Sequence, residues 1–190
     1  MRIIGGSRRG LRLADVGAGD TAAHLRPTSD RVREAIFNLL INGALGDTVQ
    51  GARVLDLFAG TGALGLEALS RGAVEVSFVD DGVRALALLR TNIAKMRAEA
   101  ETHVLRLDAT RLSKAPGLPF TLVFLDPPYG KALGEAALIA AVAGGWLAPK
   151  ALIVWEENTP PILPPAFRAV DQRKYGDTLV TLARAPGPDV

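Results

Sequence analysis

The hydrophobic positions of this chain change their spacing near residue 50, which divides the sequence into two parts. In the first part, two short apolar runs, Arg2 to Gly6 and Leu11 to Leu13, flank Ser7-Arg8-Arg9-Gly10 and predict a β-hairpin with a cationic tip. The segment Arg26-Pro27-Thr28-Ser29-Asp30 then offers several helix-capping side chains. From there to Leu40, apolar positions recur at helical spacing and predict an amphipathic helix.

From residue 52 onward, short apolar runs alternate with amphipathic stretches, a pattern typical of a mostly parallel α/β sheet. Five runs are predicted to be strands, three stretches are predicted to be helices, and two final runs are predicted to pair antiparallel. The predicted strands are Arg53 to Phe58, Val74 to Val79, His103 to Leu107, Phe120 to Leu125 and Ala151 to Trp155; the helices are Gly62 to Arg71, Val83 to Arg97 and Ala132 to Ala143; the final pair is Phe167 to Tyr175 with Thr178 to Arg184.

A candidate boundary falls between Asn42 and Gly51, where the pattern changes. Residues 1–46 are therefore expected to form an N-terminal appendage of hairpin and helix. Residues 47–190 are expected to form the α/β domain, with both parts packed as one compact unit.

Composition excludes several classes of protein. The 190 residues include no Cys, which excludes disulfides and thiolate metal sites and agrees with a reducing compartment. No apolar run approaches the ~20 residues of a membrane span, and the start of the chain lacks the apolar segment of a signal peptide. Neither His24 nor His103 has acidic or His partners at metal-ligand spacing. We therefore expect a cytoplasmic protein with no membrane partner and no metal.

Charge is distributed unevenly along the chain. Residues 1–33 contain seven arginines against three aspartates, a net charge of +4, whereas the whole chain carries +2. This asymmetry favours a polyanionic partner such as a nucleic acid. Charge alone is equally compatible with a solvated charged face.

The end of the fourth predicted strand carries candidate chemistry, in Asp126-Pro127-Pro128-Tyr129. The prolines must end the strand and stiffen the loop, which places Asp126 and Tyr129 at the carboxyl edge of the sheet, where ligands bind in open α/β folds. Asp126 and the Pro127 carbonyl can accept the two hydrogens of a planar amine and localise its lone pair, while Tyr129 offers a stacking face. The alternative is a turn that merely ends a core strand, and the aromatic residue after the prolines favours the catalytic interpretation.

The first predicted strand and helix are joined by a glycine-rich turn. Gly60, Gly62 and Gly65 match the spacing of the dinucleotide-binding fingerprint. Asp56 stands four residues before Gly60, where a carboxylate opposes a pyrophosphate at the helix N-terminus and suits a cationic ligand. S-adenosylmethionine carries an ammonium and a sulfonium but no phosphate, so we predict that it binds here and that NAD does not.

The second and third predicted strands also end in acids. Asp80, or its neighbour Asp81, is predicted to accept hydrogen bonds from ribose hydroxyls. Asp108 is predicted to accept from an adenine amino group, and its alternative role is to cap a helix that begins at Ala109. Three strand-end acids along one edge favour the adenine contact.

Together these motifs resemble a known family. Asp56-Leu57-Phe58-Ala59-Gly60-Thr61-Gly62 is similar to the cofactor motif of class I S-adenosylmethionine-dependent methyltransferases, and Asp126-Pro127-Pro128-Tyr129 to the (Asp/Asn)-Pro-Pro-Tyr motif of amino-group methyltransferases. Arg26-Pro27-Thr28, with the residues just after it and the tail Tyr175-Gly176-Asp177-Thr178, makes the chain resemble bacterial 16S rRNA (guanine-N2-) methyltransferases of the RsmD type. The resemblance runs from Arg2 to Ala183; similar enzymes more often carry Glu at the position of Asp80.

This resemblance implies a Rossmann-like class I methyltransferase fold: a seven-stranded, mostly parallel sheet with helices on both faces, plus the N-terminal β-hairpin and helix. It implies that residues 47–190 transfer a methyl group from S-adenosylmethionine to the N2 of a guanine in 16S rRNA, within a small-subunit assembly. The protein would act as a monomer and release S-adenosylhomocysteine. The implied catalytic residues are Asp126, Pro127 and Tyr129; the cofactor residues are Asp56, Phe58, Gly60, Gly62, Asp80, Asp108 and Ala109; the RNA-binding residues are Arg8, Arg9, Arg26, Thr28 and Arg31.

Three rival functions share parts of this pattern. A DNA adenine-N6 methyltransferase carries the same Asp-Pro-Pro-Tyr motif but usually has a separate target-recognition region, for which 190 residues leave little room. A protein-glutamine methyltransferase also shares the motif, and the basic N-terminus counts against it. A non-catalytic RNA-binding module on the same fold is disfavoured by the intact Asp126 and Tyr129.

Overall fold

A computed structural model describes residues 1–14 and 29–187 and places a seven-stranded sheet at its centre. The described residues also contain four α-helices. The strands are β1 Arg53–Leu57, β2 Glu75–Asp80, β3 Thr102–Arg106, β4 Phe120–Leu125, β5 Leu147–Glu157, β6 Arg168–Tyr175 and β7 Thr178–Arg184; the helices are α1 Asp30–Asn42, α2 Ala63–Ser70, α3 Val83–Met96 and α4 Leu133–Ala143.

The strand order is β3-β2-β1-β4-β5-β7-β6. Strands β1 to β5 pair in parallel, whereas β7 runs antiparallel to both β5 and β6. From β1, strands β2 and β3 follow on one side of the sheet, whereas β4 and β5 follow on the other side. The loops that follow β1 and β4 therefore flank the switch point, where open α/β sheets bind ligands. The predicted Rossmann-like, mostly parallel sheet is confirmed.

Two hydrophobic cores cover the two faces of the sheet, because successive strand residues point to opposite faces. On one face, here called the α2 face, Val54 and Phe124 belong to a core that also includes Leu66 and residues of α1 and α3. On the other, here called the α4 face, Leu55 belongs to a core that includes Leu138 of α4 and both tryptophans. Helices on both faces were predicted and are present.

The N-terminal segment, residues 1–14, packs on the α2 face and shares its core through Ile3 and Leu13. The predicted hairpin is only partly correct. Its two arms do run antiparallel, but they meet in a single bridge between Arg2 and Arg12, and the connection Gly6–Arg8 is a short 3₁₀ turn.

A buried carboxylate explains why regular strands do not form there. The amides of Ile4 and Gly5 donate to Glu67 on α2, each at 2.8 Å. Glu67 is fully buried and also accepts from Arg71 at 2.7 Å, while Arg33 of α1 lies 3.7 Å away. The segment is thus bonded to helix α2 at the point where the sequence pattern predicts a strand.

Strand β5 differs most from its predicted length. It begins at Leu147, which pairs with Phe120, and continues to Glu157 instead of ending at Trp155. Glu156 and Glu157 remain in register with β7 and are buried. Among the described residues, no helix is both long and apolar enough to cross a membrane.

Candidate active site

The candidate site lies where β1 and β4 end side by side. Leu57 pairs with Leu125, and the amide of Asp126 donates to the carbonyl of Leu57 at 3.4 Å. The glycine-rich loop follows β1, and the loop from Asp126 to Gly130, here called the target loop, follows β4. The fold therefore brings the two predicted motifs to one place at the switch point.

The glycine-rich loop turns sharply through left-handed backbone conformations. Phe58, Gly60 and Gly62 have φ angles of +59°, +55° and +78°. The Gly60 amide donates to Asp80 at 2.8 Å. The positive φ of Gly62 favours glycine, and a Cβ there would also lie 2.4 Å from a terminal methyl of the buried Leu89 on α3. The loop conformation is thus fixed by the protein's own contacts.

Asp56 is buried, with 2% of its surface exposed, and its carboxylate accepts the Gly65 amide at 2.9 Å. This bond caps α2, because the N-cap residue Gly62 has no side-chain oxygen. Burial raises the pKa of Asp56 well above its ordinary value; the Gly65 bond opposes this, and the charges of Asp126 and Asp80 raise it further. Three carboxylates are therefore close enough to interact, and they make this edge electronegative.

Asp80, at the end of β2, accepts the amides of Gly60 and Gly82 at 2.8 Å each. Burial raises its pKa, against the lowering effect of these bonds. The neighbouring Asp81 is exposed. Of the two acids that the sequence left open for the ribose contact, Asp80 is the one hydrogen-bonded to the glycine-rich loop.

Asp108 follows β3 and is exposed. It accepts the hydroxyl and the amide of Thr110 at 2.7 and 2.8 Å, and these bonds hold the pKa of Asp108 below its ordinary value. It thereby caps the 3₁₀ turn Ala109–Arg111, the alternative role considered from the sequence. Ala109 is buried beside it, and an adenine contact at these two residues stays a prediction.

The target loop is anchored at both ends. At its start, Asp126 bonds Leu57; at its end, Gly130 has a φ of +74° and its amide donates to Glu157 at 3.4 Å. Pro127 is buried, while Asp126 and Tyr129 are half-buried. The arrangement leaves a carboxylate and an aromatic side chain partly accessible beside the glycine-rich loop.

Sequence reasoning missed two residues that shape this edge. Glu157 anchors the target loop, and it was overlooked because β5 was predicted to end before it. Asn92, on α3, is fully buried and donates to the carbonyl of Thr61 in the glycine-rich loop at 3.0 Å. The available signal was a polar residue at an inward-facing position of an amphipathic helix.

Arg8 differs from the other N-terminal arginines predicted to contact RNA. Its Nε donates to the carbonyl of Met96 at 3.1 Å, and its guanidinium forms an ion pair with Glu101 at 3.7 Å. Arg8 is half-buried and fastens the N-terminal segment to the end of α3. The cationic tip of the predicted hairpin is therefore partly used by the protein itself.

Arg9 and Arg31 are exposed, and their side chains make no hydrogen bond or ion pair with the residues that the structure describes. Arg26 and Thr28 lie outside the described residues. Within ranges 1–14 and 29–187, no group of three or more His, Asp or Glu side chains is arranged to hold a metal ion.

Comparison with known proteins gives consistent similarities. The family model described as Conserved hypothetical protein 95 matches residues 1–184. The chain is 39% identical over 167 residues to Ribosomal RNA small subunit methyltransferase D of Escherichia coli, covering 86% of this chain and 79% of that protein. It is 36% identical over 169 residues to the Haemophilus influenzae protein of the same name, covering 87% and 83%.

Solved structures agree with the sequence matches. The structure of yhhF from Escherichia coli superposes with a TM-score of 0.82 at 35% identity, covering 99% of both chains. A methylase structure from Haemophilus influenzae gives a TM-score of 0.75 at 32% identity, covering 97% of this chain and 98% of the other. The similarity therefore extends over nearly the whole described chain, including the N-terminal segment.

Proposed function

The chain belongs to the Conserved hypothetical protein 95 family, that of the RsmD-type methyltransferases, and from this premise we propose a specific reaction. The protein transfers a methyl group from S-adenosylmethionine to the exocyclic N2 of a guanine in 16S rRNA. The observation that carries the proposal is the meeting of the glycine-rich loop and the target loop at the adjacent ends of β1 and β4. A donor bound at one loop and a base bound at the other are thereby held next to each other.

The residues of this edge fit a cationic adenosyl cofactor. The interacting carboxylates of Asp56, Asp80 and Asp126 attract a cation and repel a pyrophosphate, which argues against a dinucleotide. Asp80 is the candidate ribose acceptor, because a carboxylate has about four lone-pair sites and its backbone bonds to Gly60, Gly82 and Asp81 do not use all of them. When bound, S-adenosylmethionine supplies an electrophilic methyl group on its sulfonium.

Five other residues complete the proposed cofactor contacts. Gly60 and Gly62 allow the backbone to approach the ligand closely. Phe58 borders the same turn and is partly exposed. Asp108 and Ala109, which follow β3, are the proposed adenine contacts.

The target loop then activates the amine. In our proposal a flipped guanine stacks on Tyr129 and donates its two amino hydrogens to the Asp126 carboxylate and the Pro127 carbonyl. Both acceptors localise the nitrogen lone pair and orient it for attack. As the new N–C bond forms, the methyl–sulfur bond of the donor breaks, and the extra proton on the nitrogen is then lost to solvent beside the half-buried Asp126.

The N-terminal segment and the residues that lead into α1 supply positive charge for the RNA. Arg9 and Arg31 are the exposed cations proposed to contact phosphate, with Arg26 and Thr28 from the resemblance. Arg8 contributes by holding the segment in place through Met96 and Glu101. The proposed substrate is the small-subunit rRNA named for the relatives, in the cytoplasm, with the protein acting as a monomer.

Methylation of a defined RNA tests the proposal. The protein is incubated with labelled S-adenosylmethionine and undermethylated 16S rRNA, both naked and as ribonucleoprotein, and the modified nucleotide is mapped. We expect one N2-methylguanine. Transfer to duplex DNA or to protein glutamine with none to rRNA would overturn the proposal, and so would calorimetry showing tight binding of NAD with none of S-adenosylmethionine.

A further inference from the structure

Asn92 is fully buried on α3, and its side-chain amide makes three hydrogen bonds within the described structure. Its Oδ1 accepts the amide of Ala14 at 2.6 Å, and its Nδ2 donates to the carbonyls of Ala14 and Thr61 at 3.0 Å each. The orientation of the amide follows from its partners, because two carbonyls require donors and an N–H requires an acceptor. All of the side chain's donor hydrogens are used.

These bonds join two regions that are far apart in the sequence. Thr61 is the central residue of the glycine-rich loop, between Gly60 and Gly62. Ala14 ends the N-terminal segment, which carries the exposed cations Arg9 and Arg12. One buried side chain therefore fixes a carbonyl of the proposed cofactor loop and the backbone of the segment proposed to face RNA.

Another buried side chain holds the N-terminal segment without bonding the loop. The Ser70 hydroxyl on α2 accepts the amide of Arg8 at 2.9 Å and donates to the carbonyl of Gly5 at 2.6 Å. None of its hydrogen bonds in the described structure reaches Gly60–Gly62. Ser70 is thus a natural control that separates loosening of the segment from release of the loop.

We propose that Asn92 is a positioning residue that couples RNA bound by the N-terminal segment to S-adenosylmethionine bound at the glycine-rich loop. The identity of both ligands rests on the proposed function. RNA that immobilises the segment also immobilises the Asn92 amide and, through it, the Thr61 carbonyl. Because such coupling is reciprocal, each ligand raises the affinity for the other by the same factor. A buried, fully bonded amide transmits the constraint because breaking any bond leaves an unpaired polar group.

Titration of S-adenosylmethionine into RNA-free protein tests the positioning role. Asn92→Leu leaves the polar groups of Ala14 and Thr61 unpaired, so we expect the cofactor Kd to rise about 10-fold. Asn92→Asp keeps the acceptor for Ala14, loses both donors, and serves as the second variant if the first fails to fold, as judged by circular dichroism. Ser70→Ala should stay within about twofold of the parent. An unchanged Kd in folded Asn92 variants would overturn the positioning role.

The same titration in the presence of saturating 16S rRNA fragment measures the coupling. We expect RNA to tighten cofactor binding about fivefold or more in the parent and in Ser70→Ala, and to have almost no effect in the Asn92 variants. At saturating cofactor, Asn92→Asp should keep kcat within about twofold while KM for the cofactor rises, because Asn92 does not touch the reacting atoms. Equal coupling in parent and variants, or none in a parent that binds the RNA, would overturn the link.

Failure of the proposed function would look different. In that case the parent protein would bind no rRNA or methylate none of it. The RNA-free titration would still decide whether Asn92 positions the glycine-rich loop, since that measurement requires only the small molecule.

Discussion

The two halves of the site are held by the chain in different ways. On the cofactor side, Asp80 accepts the amides of Gly60 and Gly82, and Asp56 accepts that of Gly65 on α2, at 2.8–2.9 Å. These bonds hold the glycine-rich loop and the start of α2. On the target side, the loop from Asp126 to Gly130 is tied at each end by a longer bond of 3.4 Å. Between those ends, two consecutive prolines restrict its backbone.

This difference suggests a division of labour within the site. The cofactor half is built as part of the core: its acids cap α2 and bond the glycine-rich loop, so changes there should alter stability and binding together. The target half carries its functional side chains half-buried on a loop stiffened by prolines, so changes to those side chains should alter the chemical step and leave folding intact. Substitutions that separate these effects either sharpen the contrast or remove it.

The largest effect is expected from Asp126→Ala. Loss of the carboxylate that localises the amine lone pair should slow methyl transfer on the order of 10²–10³-fold, the usual cost of one preorganised polar group. Folding and most cofactor binding should persist, because Asp126 is half-buried and the alanine variant keeps the backbone amide that donates to Leu57. Single-turnover transfer to rRNA at saturating cofactor measures the step.

Asp126→Asn is the matched control for that experiment. Its amide oxygen still accepts one amine hydrogen, so the loss should be smaller than in the alanine variant. If Asp126→Ala transfers methyl as fast as the parent protein, the loop is only a strand terminator, and the contrast between the two halves has no chemical meaning.

The next largest effect is expected from Tyr129→Ala. Removing the stacking face should weaken capture of the base by ~1–3 kcal/mol, seen as a higher KM for RNA at little cost to cofactor affinity. Tyr129→Phe retains the ring and should be mild. A loss in Tyr129→Phe equal to that in Tyr129→Ala would indicate that the hydroxyl, not the ring face, carries the contact.

The order and type of the elements could be predicted from the sequence where local pattern decides them. Strand β4 was predicted to the residue, because an apolar run ends against two prolines that cannot continue a ladder. Strand β5 was predicted too short, because Glu156 and Glu157 are charged yet stay buried beside β7. The N-terminal hairpin was predicted too regular, because its partner, Glu67, lies about 60 residues away in the chain.

The candidate site shows the same limit. The sequence correctly predicted that Asp56, Asp80 and Asp126 lie at one edge of the sheet, because the carboxyl ends of parallel strands meet there. The sequence could not reveal that Asp56 also caps α2, because the Gly65 amide meets the Asp56 carboxylate only when the helix packs against β1. Nor could it separate Arg8 from Arg9: the two are neighbours, and only the fold brings Met96 and Glu101 to the first.

The different surroundings of Arg8 and Arg9 give the third prediction. Arg9→Glu should flatten the salt dependence of RNA binding by roughly 0.7–0.9 in log–log slope, the value for one lost phosphate contact. Arg8→Ala should instead lower stability, because it frees Met96 and Glu101, and should change the slope less. Binding measured across a range of salt concentrations decides the matter. An unaltered slope in Arg9→Glu would mean that this arginine is part of a solvated face.

The smallest effect is expected from Asp56→Asn, which tests whether the cofactor half is built at a cost in stability. Burial raises the pKa of Asp56 in the folded chain above its ordinary value of 3.8. At pH values between 3.8 and that raised pKa, the folded chain therefore binds more protons than the unfolded chain. The free energy of unfolding of the parent therefore falls as pH rises through that window. Asn carries no charge, and its oxygen can still accept the Gly65 amide.

We therefore expect Asp56→Asn to raise the free energy of unfolding at pH 7, because the variant no longer buries a charge. The gain should shrink as pH falls toward 3.8, while affinity for the cationic cofactor drops. Asp108→Asn is the opposite control: its pKa is lowered by Thr110, so the parent's advantage should be present at neutral pH and decline in acid. Urea unfolding from pH 7 to pH 4 measures both. If Asp56→Asn were less stable than the parent at pH 7, the hydrogen bond from Gly65 would more than offset the cost of burying the Asp56 charge. The cofactor half would then not be built at a cost in stability.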